Sequence, residues 1–151
     1  LSPGTPIYAV KGYRPQFRLA ALHDGEVVGF EPDTNPNART GADLLDIERK
    51  VRAVAFYDEN HLDSEMARID EPGLVADIVR MVLAAPVDQT QLDKGGRKHL
   101  VAFLLDDGSA TTRWYRPESG RLSRGIQLPN EFGKYLPPES LPAWKEPWAG
   151  P

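Results

Sequence analysis

The tightest constraint on this chain lies between Pro72 and Pro86. Leu74, Val75, Ile78, Val79, Val82 and Leu83 recur there at helical spacing, so they share one side of a helix over about 71–85. Asp70 offers a cap, Pro72 suits the first helical turn, and Pro86 forbids continuation. Each such side chain contributes about 1.5–3 kcal/mol when buried. A stripe of this width needs a layer to lie on, and the rest of the chain supplies strands.

Ile7 to Tyr13 is rich in β-formers and reads as a strand that Pro15 ends. Phe17–His23 and Glu26–Phe30 flank Asp24-Gly25, a strong hairpin signal because glycine supplies the positive φ of a tight turn. Val51–Tyr57 is apolar at both parities and reads as a strand buried on both faces. His99–Leu105 and Ala110–Arg116 flank a second Asp-Gly, Asp107-Gly108, and Arg121–Leu128 follows a turn at Pro117–Gly120 as a last strand. Asp58 to Asp70 is polar and poorly periodic, and reads as a solvated acidic connection to the helix. Pro129–Leu136 resembles a short helix with Phe132, Tyr135 and Leu136 on one side.

This order predicts an α+β fold: a mostly antiparallel sheet of about six strands, the main helix packed on one face, and a short C-terminal helix over about 129–136. The 151 residues suit one domain. Residues 7–136 form it, 1–6 read as linker, and 137–151 as a Pro/Trp-rich tail whose Trp144 and Trp148 are expected to clamp onto the domain, with docking on a partner as the alternative. Proline-rich flanks suit a tethered module, which favours an extracytoplasmic or cell-surface location, with cytoplasmic as the alternative.

Composition narrows function by exclusion. The chain lacks cysteine, so it has no thiol chemistry, disulfide or Cys-ligated zinc. Its 18 basic residues are scattered and outnumbered by 22 acidic ones, which argues against a nucleic-acid surface. No apolar run is long enough to span a bilayer, so any membrane tether lies outside this segment. No serine stands in a GxSxG motif, and no pattern implies a cofactor. Gly95-Gly96-Arg97-Lys98 precedes a strand, where a phosphate loop would precede a helix.

Three constellations remain. Arg113, Trp114, Tyr115 and Arg116 combine the residue types favoured at binding hot spots, and predict an apolar patch or groove beside Trp114 or Tyr115. Asp58, His61 and Asp63 place an imidazole among carboxylates after a strand, the makings of a small hydrolase or metal-assisted enzyme if they converge. Asp33, Asn35 and Asn37, with Asp43 and Asp46 nearby, resemble the opening of a calcium loop, but Ala38 and Leu44 stand where such a loop needs glycine and glutamate. An Asx-rich surface turn explains the same residues. His23 and His99, at strand ends, are expected at the surface. The reading that results is a non-catalytic module of a larger bacterial surface or lipoprotein-like protein, binding an unknown protein or small ligand.

Overall fold

The structure is a computed structural model, and it describes residues 1–32, 34–91 and 95–137. It is an α+β fold with two antiparallel sheets, one main helix and two 3-10 turns. In chain order, β1 (Ile7–Ala9), β2 (Leu19–His23) and β3 (Glu26–Phe30) form a three-stranded sheet. A 3-10 turn at Gly41–Asp43 leads to β4 (Val51–Asp58) and β5 (His61–Ile69). Helix α1 (Pro72–Ala84) follows, then β6 (His99–Leu105), β7 (Ala110–Arg116), β8 (Arg121–Leu122) and β9 (Ile126–Gln127). A second 3-10 turn spans Asn130–Tyr135. The larger sheet runs β5-β4-β6-β7-β8-β9.

The two Asp-Gly hairpins form as their chemistry requires. Asp24 and Gly25 both take positive φ, 51° and 82°, the pairing that matches strand twist in a two-residue turn. Sharing an Asp-Gly dipeptide does not make the hairpins share a sheet: β2–β3 belongs to the small sheet and β6–β7 to the large one. The strands read from sequence as one sheet therefore separate into two.

Helix α1 lies on the core face of the large sheet. Val75, Ile78, Val79 and Val82 pack there with Val54 and Phe56 of β4 and Val101, Phe103 and Leu105 of β6. Ala53 to Phe56 are all buried, so β4 is covered on both faces as expected. Leu74, expected in the helix stripe, is 41% exposed, while Val75, Ile78, Val79 and Val82 are buried. The cap is Glu71 rather than Asp70: its carboxylate accepts from the N–H groups of Gly73 (2.9 Å) and Leu74 (2.7 Å).

The Gly41–Asp43 turn seats against the end of α1. A Cβ on Gly41 would stand 2.0 Å from the Val82 carbonyl oxygen, so only glycine permits this approach. The second 3-10 turn is pinned by Phe132, fully buried with its ring centroid 4.8 Å from Tyr115 and 6.1 Å from Phe56.

Four further expectations need correction. β1 ends at Ala9 rather than Tyr13, because a turn closed by Tyr13 N–H on the Val10 carbonyl breaks it at Lys11-Gly12. The segment read as a polar connection contains strand β5, whose backbone pairs with the open edge of β4. Its sequence is polar because most of its side chains face solvent; only Ala67 and Ile69 pack against the core. The last strand is two short ones, β8 and β9, folded back by a turn in which Arg124 (φ 70°) and Gly125 (φ 81°) are left-handed. His99 is fully buried, because central strand β6 registers it between Asp58 on β4 and Tyr115 on β7. Among the described residues no helix is long and apolar enough to cross a membrane. Trp144, Trp148 and the rest of the Pro/Trp-rich tail beyond Pro137 lie outside the described residues.

Candidate binding pocket

Strand alternation decides what each sequence-selected residue can do. Register pairs Arg113 with Val101 and Tyr115 with His99, so both point to the core face, while Trp114 and Arg116 point the other way. Tyr115 is 3% exposed and packs edge-on against Phe132, a core role. Burial raises its phenol pKa above the ordinary value. Trp114 is half-buried, with the Lys98 ammonium 4.4 Å from its ring centroid. Arg116 donates to the carbonyls of Gly95 (2.8 Å) and Gly96 (3.1 Å), tying β7 to the preceding loop. The four residues therefore do not form one surface.

Arg113 does reach a pocket. It is 7% exposed, a charged side chain buried on the same face of β7 as Thr111 and Tyr115. Beside it opens a cavity of about 610 Å³, walled by the 13–19 connector, Glu31, Pro32, Leu44, Leu45 and Thr111. Arg14, Arg18 and Arg124 also border it. The pocket forms where the small sheet's flanks meet the edge of β7.

Glu31 organises the arginines. Its Oε1 accepts from Arg18 Nη2 (3.0 Å) and Thr111 Oγ1 (2.8 Å), and its Oε2 from Arg113 Nη1 (3.3 Å). Burial alone would raise the Glu31 carboxyl, but hydrogen bonds from Thr111 and Arg18 and the charge of Arg113 outweigh it and hold the pKa below the ordinary carboxylate value. Arg18 also donates to Ser109 Oγ (2.7 Å), stands 3.8 Å from Asp107, and covers the Tyr13 ring at 4.5 Å. Arg124 donates to the Pro32 carbonyl at 2.7 Å.

Arg113 is the strained member. Desolvation lowers its pKa, Glu31 opposes this, and the charge of Arg124 adds to the lowering. Its Nη1 also donates to the Thr112 carbonyl (2.7 Å) and its Nη2 to the Leu44 carbonyl at 3.4 Å. Its buried Nε has no hydrogen-bond partner among the described residues. An unsatisfied buried donor costs about 1–3 kcal/mol.

The other acids at the rim are spent locally. Asp43 accepts from the backbone N–H groups of Arg39 and Thr40, which lower its pKa. Burial would raise Asp46, but Lys50 and the Arg14 N–H outweigh it and lower the pKa. Of the guanidiniums that border the pocket, Arg18 and Arg113 share Glu31, and Arg18 also lies near Asp107. Guanidiniums at a pocket wall suit a carboxylate or phosphate, which matches the planar fork of arginine.

The other two constellations are dispersed. His61 Nδ1 lies 3.7 Å from Asp58 Oδ1 across the β4–β5 turn, but the imidazole is 75% exposed and Asp63 pairs with neither. The Asp58 carboxyl is lowered to about 2, chiefly by the Asn60 N–H and by Arg97. Asp33 lies outside the described residues. Asn35 Oδ1 accepts the Asn37 N–H (3.1 Å) and its Nδ2 donates to the Asp43 carbonyl (3.2 Å), the geometry of an Asx turn. Among the described residues no group of three or more metal-ligating side chains forms.

Sequence reasoning did not connect Arg18 and Glu31 with Arg113. They come from separate segments of the chain, and no local spacing signals their convergence. Comparisons of the chain with protein-family models, with curated proteins and with solved structures found no significant match in any of the three.

Proposed function

We propose that this chain is a non-catalytic binding module whose site is the arginine-bordered pocket, and that its ligand is a small organic oxyanion. One observation carries the reading: Arg113 is buried at the pocket wall with its Nε unpartnered among the described residues. A carboxylate that reached this guanidinium would satisfy a donor that has no partner among the described residues. The pocket volume of about 610 Å³ falls within the usual range for small-molecule sites. The proline-rich flanks support its reading as a tethered module of an extracytoplasmic, lipoprotein-like bacterial protein.

The test is calorimetric titration with succinate, citrate and inorganic phosphate, using spermidine as a cationic control. At least one anion is expected to bind saturably, and Arg124→Ala to weaken it about tenfold or more. If no anion binds at millimolar concentration, or if Arg124→Ala leaves binding unchanged, the reading fails.

A further inference from the structure

A second, chemically different groove runs along α1. Pro72, Val75, Ala76, Val79, Leu83 and Ala84 line it from the first helical turn to the last, a span of about 18 Å. Val51 of β4 completes an apolar floor, and the cavity measures about 770 Å³. Arg49 and Arg52 stand on one lip and Arg80 lines the groove, with Glu48 the one acidic residue of the lining. Arg80 is paired with Asp77, and Arg52 spends its Nε on the Leu105 carbonyl.

Arg49 is unusual in two ways. Its φ is 59°, in a turn closed by the Lys50 N–H on the Ile47 carbonyl, where glycine or asparagine is the ordinary choice. It also makes no ion pair or side-chain hydrogen bond among the described residues. A long cation held in a costly backbone conformation at the lip of an apolar groove is an outlier that calls for a reason.

We infer that this groove binds a free fatty acid: the acyl chain lies along Val75, Val79 and Leu83, and the carboxylate pairs with Arg49 and Arg52. The charge of the lip selects an anionic head over a cationic one. The apolar floor supplies affinity in proportion to the methylenes buried. Ala76 and Ala84 keep the helix side of the groove low enough for a chain to lie in it. This inference is independent of the arginine pocket on β7 and of any ligand bound there.

The probe is dodecanoate below its aggregation concentration, followed by NMR chemical-shift mapping and calorimetry. Shifts are expected along α1 and at Arg49, with decanoate weaker by about tenfold for its two fewer methylenes. Dodecylamine is expected to bind at least tenfold more weakly than dodecanoate. The double variant Arg49→Glu/Arg52→Glu should reverse that preference. Ala76→Trp, an exposed position filled from the groove side, should abolish dodecanoate binding while the melting temperature holds. Equal binding of dodecanoate and dodecylamine would overturn the inference, as would shifts mapping away from α1. Tighter binding of an acidic amphipathic peptide than of dodecanoate at the same residues would overturn the choice of occupant.

Discussion

Arg113 on β7 and Glu31 after β3 meet at 3.3 Å, and through this pair the large sheet is tied to the flank of the small one. The carboxylate serves Arg18 and Thr111 as well. Removing it would leave two guanidiniums facing each other's charge without their shared acceptor.

Glu31→Gln is therefore expected to destabilise the protein by about 1–3 kcal/mol, less than a fully buried pair because Glu31 retains solvent contact. The sign of the pH dependence follows from its depressed pKa. The stabilisation is complete above the ordinary carboxylate pKa of 4.5 and is lost as pH falls through the lower folded value. Denaturant melts of both proteins from pH 7 to pH 3 should show the gap between them closing in acid.

Phe132 joins the C-terminal 3-10 turn to the sheet through Phe56 and Tyr115. Phe132→Ala should cost about 3–5 kcal/mol, and Phe132→Leu markedly less. Equilibrium unfolding in urea measures both.

Two glycines of similar φ should respond differently to alanine. Gly108 (φ 85°) has nothing within 4 Å of its missing Cβ, whereas at Gly125 (φ 81°) a Cβ would lie 2.2 Å from the Asp88 carbonyl oxygen. Gly108→Ala carries only the backbone penalty of about 1–2 kcal/mol. Gly125→Ala must also displace the 88–89 backbone, so its melting temperature should fall further.

Glu71→Ala should cost about 1 kcal/mol through the lost cap, and Asp70→Ala close to nothing. Thermal melts of the two variants separate the observed cap from the one expected from sequence.

Much of the fold was legible because its signals are local. The periodicity of 74–83, the two Asp-Gly turns and the apolar runs 51–57 and 99–105 each declare an element within a short window. β5 was not legible: an edge strand facing solvent needs few apolar residues, and its identity comes from the partner edge of β4. The break between β8 and β9 depends on Arg124 adopting a left-handed backbone, which no propensity favours. His99 looked like a surface residue because its burial is set by register with β4 and β7 rather than by its neighbours in sequence. Of the residues that border the candidate pocket, Arg113 is the one in the group Arg113, Trp114, Tyr115 and Arg116 selected from sequence. Its grouping with Trp114, Tyr115 and Arg116 failed because alternation along a strand sends neighbours to opposite faces. The residues that surround Arg113 are distant in sequence, and long-range convergence leaves no periodic trace.

The most direct measurement of the proposed site is the side-chain Nε–H signal of Arg113, followed by heteronuclear NMR during titration with whichever anion calorimetry identifies as tightest. The signal should move saturably, with a dissociation constant equal to the calorimetric one, as the unpartnered donor gains an acceptor. An Arg113 Nε–H signal that stays fixed while the anion saturates the protein would place binding elsewhere and contradict the assignment.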